Sequence, residues 1–142
     1  MKTAIQFSRI SIFVIYFWFG LLKIIGLSPA EGLVNHLYDI TLKSIIDFRL
    51  FFILFGLFEC AIGLIWLMPK LTKISMYLIC LHLVLTVLPV FVLPKDTWSN
   101  LLTPTLVGQY IIKNLVLLSS AFVIFKQQKQ NEYVNNTTAY NR

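Results

Sequence analysis

Charged side chains are scarce in this chain. They make up 13% of its 142 residues, whereas hydrophobic residues make up 58%. An ordinary soluble domain carries about a quarter charged residues, so this composition, with a mean hydropathy of +0.78, argues against a water-soluble globule. Histidine and cysteine number two each, with no HxxxH, HxxE or CxxC spacing. A metal site built by the protein is therefore not expected. No cofactor-binding motif and no internal or inverted repeat is present. The first apolar run is longer than the roughly 7–15 residues of a signal-peptide core and is followed by no small-residue cleavage site, so the N-terminus reads as retained.

What fills the chain instead is four apolar runs, Ile10–Leu27, Leu50–Met68, Ile74–Leu93 and Leu106–Phe125. Each approaches the ~20 residues that a helix needs to cross a ~30 Å hydrocarbon core. The fold class expected is an all-α membrane protein, an antiparallel bundle of four transmembrane helices. Its spans cover about 10–27, 50–68, 74–93 and 105–126 of a single domain, 1–126. Ser28-Pro29-Ala30-Glu31 has the form of a capping box and opens an additional helix over about 29–47, too polar to span and suited to lie across the outer mouth as an interfacial helix. Pro69 with Lys70 and Lys73 marks a tight turn, Pro94–Pro104 a loop with Trp98 at the interface. Residues 127–142 are rich in Gln and Asn and read as a polar flexible tail.

The net charge of +6 is distributed unevenly. Lys2, Arg9, Lys70, Lys73, Lys126, Lys129 and Arg142 fall on the side holding both termini, and Lys43, Arg49 and Lys95 on the other. The bias places both termini in the cytoplasm and makes the basic character a topology signal rather than a sign of nucleic acid. The lipid bilayer is the expected partner.

One ionisable residue interrupts each run: Lys23, Glu59, His82 and Lys113. A charge in hydrocarbon costs roughly 2.5–3.5 kcal/mol even on insertion scales, so the four are expected to turn inward, towards each other or something bound. From the helical rise, Glu59 and Lys113 sit roughly 13 Å below the outer surface, His82 roughly 16 Å and Lys23 about 6 Å, with a stem able to reach either way. Each shares a stripe with small or polar neighbours: Tyr16, Gly20 and Lys23; Gly56, Glu59, Cys60 and Gly63; Ser75, His82 and Thr86; Thr105, Gln109 and Lys113. Glu59 between two lysines leaves one positive charge, which suits an anion or a carbonyl oxygen unless burial deprotonates a lysine. The same residues, paired only with each other, would simply fix the packing. His82, alone in its span, reads as hydrogen-bonded structure more readily than as a metal ligand. Cys60 and Cys80 lie at equal depth about the Pro69 turn, which leaves a disulfide or dithiol open beside their ordinary role as small buried hydrophobes.

Three stretches resemble a known family. Phe17-Trp18-Phe19-Gly20-Leu21-Leu22-Lys23 with Gly26-Leu27-Ser28-Pro29-Ala30-Glu31 is similar to the first-helix signature of DoxX-like membrane proteins. Gly56-x-x-Glu59-x-x-x-Gly63 resembles their second helix, and Gly108-Gln109-Tyr110-Ile111-Ile112-Lys113-Asn114-Leu115 the start of their fourth. The resemblance spans residues 10–125. It implies a four-helix protein of a bacterial inner membrane, from a family named for a subunit of a thiosulfate:quinone oxidoreductase, with other members linked to oxidative stress or to membrane-protein assembly.

Together these readings lead to a small membrane subunit whose pocket of Lys23, Glu59, His82, Gln109, Lys113 and Asn114 binds a quinone-like or other small ligand, or exchanges a proton, in support of a redox partner. Lys23 and Lys113 hold the ligand's oxygen, Glu59 orients them, and His82, Gln109 and Asn114 supply hydrogen bonds. No residue is assigned a catalytic role. The alternatives are an assembly or scaffold protein, whose charge network is structural, and a small transporter, for which four helices require a homo-oligomer.

Overall fold

The structure, a computed structural model, describes residues 2–140. Four long helices dominate: α1 (Lys2–Ile24), α3 (Phe48–Trp66), α4 (Thr72–Val92) and α6 (Leu106–Tyr140). Each, α4 together with the turn before it, forms a stretch long and apolar enough to cross a membrane, bounded by Thr3–Ile24, Phe48–Trp66, Pro69–Val92 and Leu106–Asn131. They pack as a ring in the order α1, α3, α4, α6, with α6 returning to α1. Arg9 meets Trp66, Lys23 meets Glu59, Glu59 meets His82 and Thr97 meets Gly108, so neighbours run antiparallel. The chain is an all-α, multi-pass membrane bundle.

One end of the bundle, here the α2 end, carries the short helix α2 (Glu31–Thr41), the one-turn helix α5 (Pro94–Thr97) and a two-stranded hairpin, β1 (Trp98–Asn100) with β2 (Thr103–Pro104). The other, the turn end, carries the α3–α4 connection, a 3-10 turn over Pro69–Leu71. Local chemistry sets these boundaries. Asp47 caps α3 by accepting from the Leu50 N–H at 3.1 Å, which satisfies one of the four donors a helix start leaves free. Met68 is extended, as a residue before proline must be. The Asn100 carboxamide oxygen accepts from the Thr103 N–H at 3.1 Å and closes the hairpin.

Three sequence expectations are corrected. The additional helix begins at Glu31 rather than at Pro29 and ends at Thr41, residues 42–46 forming turns. Ser28 does receive a backbone bond, from the Ala30 N–H at 3.3 Å, but the Glu31 side chain completes no capping box, so the first turn stays outside the helix. The 94–104 loop holds a helical turn and a hairpin. And α6 does not end near residue 126: it continues through the polar segment to Tyr140, because no Gly or Pro follows Gly108 and the Lys and Gln residues beyond Phe125 are good helix formers.

The core gathers Ile12 and Tyr16 of α1, Ile62 and Trp66 of α3, Ile79 and Leu83 of α4, and Ala121 and Ile124 of α6. Towards the α2 end, α1 and α3 come closer than side chains allow. A Cβ on Gly20 would lie 2.6 Å from the Gly56 carbonyl oxygen, and one on Gly56 would lie 2.7 Å from the Gly20 oxygen and 2.9 Å from the Lys23 Cβ. Gly63 continues the contact against the Phe13 and Phe17 backbone. This is the small-residue packing by which transmembrane helices gain van der Waals contact without a hydrophobic drive between them.

Gly56→Ala should therefore force α1 and α3 apart and destabilise by about 1–3 kcal/mol, the usual range for overpacking. Gly32→Ala, at a helical position with nothing within 4 Å of the new Cβ, should be neutral or stabilising by up to about 1 kcal/mol. Unfolding of both variants in detergent decides this, and equal effects would refute the contact's role.

Candidate functional site

The close approach of α1 to α3 brings Lys23 within reach of Glu59. In a helix the Cα–Cβ bond tilts towards the N-terminus, and the N-terminus of α1 is at the turn end. The Lys23 stem thus runs down into the bundle instead of out to the surface. Its ammonium donates to Glu59 Oε2 at 2.6 Å, and both side chains are 6% exposed. The other carboxylate oxygen, Oε1, meets His82 Nε2 at 2.8 Å, and His82 Nδ1 meets the Tyr16 hydroxyl at 3.2 Å. With Glu59 ionised, Nε2–H is the donor to the carboxylate and Nδ1 accepts from the Tyr16 hydroxyl, a tautomer assigned from the partners. Four titratable groups on three helices thereby form one hydrogen-bonded chain. Its ends, Tyr16 and Lys23, lie seven residues apart on α1, about 10 Å along the axis.

Aromatic rings enclose this chain. Phe55 stacks on His82 with centroids 5.5 Å apart and 14° between planes, and its ring centre lies 5.4 Å from the Lys23 ammonium. Tyr16 meets His82 edge-on at 5.0 Å. The low-polarity surround strengthens each polar bond and raises the penalty for losing one.

The structure brings together Lys23, Glu59 and His82 and leaves the α6 residues out. Lys113 and Gln109 are exposed, and Asn114 is half-buried. The Lys113 ammonium lies 5.3 Å from the Tyr110 ring centre. The expectation that Lys113 turns inward is thus corrected. Helix α6 contacts the bundle through Gly108, Ile111, Ala121 and Ile124, all buried, and a Cβ at Gly108 would collide with the Thr97 carbonyl oxygen. Seating Gly108 against α5 rotates the Gln109–Lys113 edge outward. The surplus positive charge expected in the pocket disappears with it, since Lys23 and Glu59 balance one to one. Cys60 and Cys80 are separate free thiols. Cys60 faces α1, with its thiol 3.5 Å from the Phe17 carbonyl oxygen, and so does not meet Cys80 on α4.

Two participants escape a reading that looks for charges in spans. Tyr16 shares the face of Lys23 by its seven-residue spacing, but a tyrosine within an aromatic run gives no sign that its hydroxyl is used. Arg9 looks like a residue of the membrane edge yet is 5% exposed. Its guanidinium donates to the Trp66 carbonyl at 2.9 Å and to Thr72 Oγ1 at 2.7 Å. It ties α1 to the C-terminal end of α3, where the helix dipole favours a cation. A surface groove of about 410 Å³ is lined by Lys126, Lys129, Gln130 and Tyr133, none of them a member of the buried chain.

Removing one member of a buried ion pair often costs about 3–5 kcal/mol, and Glu59→Gln should fall towards that range. In a double-mutant cycle, Lys23→Met should recover part of the loss, whereas Lys113→Met, at an outward-facing position, should neither recover nor deepen it. Equilibrium unfolding of the wild type, the three single variants and the two double variants in detergent measures both couplings. A Lys113 coupling as large as that of Lys23 would contradict the geometry.

Comparison with known proteins finds no matching family model, no similar curated protein and no similar solved structure.

Proposed function

We propose that this protein is a small DoxX-like subunit of a bacterial inner membrane, in which the Tyr16–His82–Glu59–Lys23 chain exchanges protons for a quinone-like carrier handled with a redox partner. The observation that carries this reading is the chain itself. Its members, each 3–6% exposed, run from a phenol that donates to an imidazole, through an imidazole that donates to a carboxylate, to a carboxylate that also accepts from an ammonium. Such a chain moves a proton by small shifts between neighbours, and ionisable groups kept inside a membrane at this expense mark proton or ligand paths by default. Of the residues that carry the resemblance to the DoxX-like family, Gly20, Lys23, Gly56, Glu59 and Gly63 meet at the α1–α3 contact, whereas those of the fourth-helix motif, Gly108 to Leu115, lie outside it.

The orientation proposed puts the turn end, with Lys70, Lys73 and both termini, in the cytoplasm by the positive-inside rule. The network then lies in the outer half of the bilayer. A reporter active only in the cytoplasm should give signal when fused after Arg142 and none when inserted at Leu101. The opposite pattern inverts the topology.

One observation favours a second reading, a scaffold or assembly protein with a purely structural network. Both Glu59 oxygens and both His82 nitrogens are engaged within the chain, and its charges balance. Native mass spectrometry of gently extracted protein separates the two. The proton-exchange reading expects a retained quinone or a co-extracted oxidoreductase. It also expects Tyr16→Phe, which keeps the ring packing, to slow quinone reduction by that complex about 10²-fold or more with little change in melting temperature. Wild-type protein holding phospholipid alone, or undiminished turnover in Tyr16→Phe, leaves the structural reading.

A further inference from the structure

The spans differ in what they turn outward. From residue 10 through α1 and the turn that follows it to residue 27 the exposed residues are apolar: Ile10, Val14, Trp18, Phe19, Leu21, Ile25 and Leu27. Away from their ends, α3 and α4 likewise expose Leu, Ile, Val, Ala, Tyr and Phe. Helix α6 departs from this pattern. Gln109 and Lys113, one turn apart, are both exposed on the same edge, and Lys113 lies seven residues inside the span that begins at Leu106, about 10 Å below its end. A carboxamide and an ammonium set towards lipid at that depth are poorly matched to hydrocarbon. Lys113 rests against the Tyr110 ring, and among the described residues no carboxylate of the bundle is paired with it, since Glu59 already holds Lys23 and His82.

From this we infer that the Gln109–Lys113 edge of α6 is a docking surface for a transmembrane helix of another protein, one that presents a carboxylate about two turns from the α2 end. The sign of the charge selects the occupant. A second copy of this chain brings to a two-fold contact only its own Lys113, a like charge. Glu59, the one acidic residue inside any of the four spans, is 5% exposed and fully engaged. An Asp or Glu on a foreign helix supplies the missing sign, and Gln109 adds a second hydrogen bond one turn away. Tyr110, 67% exposed beside Lys113, gives the contact an apolar flank. The surface follows from exposure and charge alone and stands whether or not the buried chain moves protons.

The test places the full-length protein, donor-labelled, in phosphatidylcholine vesicles with acceptor-labelled synthetic peptides. One peptide is a Leu-rich transmembrane helix with a single Glu two turns from one end; the other carries Leu in its place. Energy transfer should show the Glu peptide associating about five- to thirtyfold more tightly, the range that interhelical polar contacts provide in model peptides. The preference should vanish in Lys113→Met, weaken in Gln109→Leu and persist in Lys113→Arg, with melting temperatures unchanged because these side chains face outward. Equal association of the two peptides would mean that Lys113 reaches the headgroups and docks nothing. A preference that survives Lys113→Met, or Gln109→Cys protein cross-linking to itself without peptide, also overturns the proposal.

Discussion

Helices α1 and α3 touch through backbone at Gly20 and Gly56, and the buried ion pair exists only because they do. With an alanine at either position the helices would have to separate, and a salt bridge of 2.6 Å inside a membrane tolerates little separation. Desolvating two charges is repaid only when geometry is close and the remaining lone pairs are satisfied. Here His82 takes the second carboxylate oxygen and Tyr16 takes the far side of His82. Small residues, ion pair, imidazole and phenol are thus consecutive consequences of one close crossing.

Among the described residues, Arg9 and Lys23 are cations buried at opposite ends of the bundle and treated in different ways. Lys23 is matched by a carboxylate. Arg9 has none among its described partners and is held by the Trp66 carbonyl and the Thr72 hydroxyl. Helix polarity explains how both are tolerated. Arg9 sits where the carbonyls at the end of α3 gather partial negative charge, while Lys23, in the last turn of α1, turns its ammonium down into the bundle, where Glu59 supplies a full counter-charge. Each also fastens α1 to α3, so this helix pair is clamped at both ends.

Much of the architecture was legible in the residues. Four apolar runs of spanning length, one proline turn and one capping sequence define four crossing helices with an extra helix between the first two. The inward turn of Lys23, Glu59 and His82 also followed from the cost of charge in hydrocarbon. The same rule misplaced Lys113, because it states that a charge must be satisfied and not that its own chain must satisfy it. What decides the rotation of α6 is Gly108 seated on the Thr97 carbonyl, a contact between residues whose meeting no periodicity reports. Tyr16 and Arg9 were missed for a related reason: their roles depend on which backbone or ring lies opposite.

Sequence separation along the buried chain has a consequence for how the protein is made. Lys23 waits 36 residues for Glu59, and Glu59 a further 23 for His82. At about 5–20 residues per second of synthesis, the first delay lasts about two to seven seconds. During that interval the leading helix holds an unmatched ammonium at the insertion site. The ion pair that fastens α1 to α3 therefore closes only after the second span has followed the first out of the ribosome.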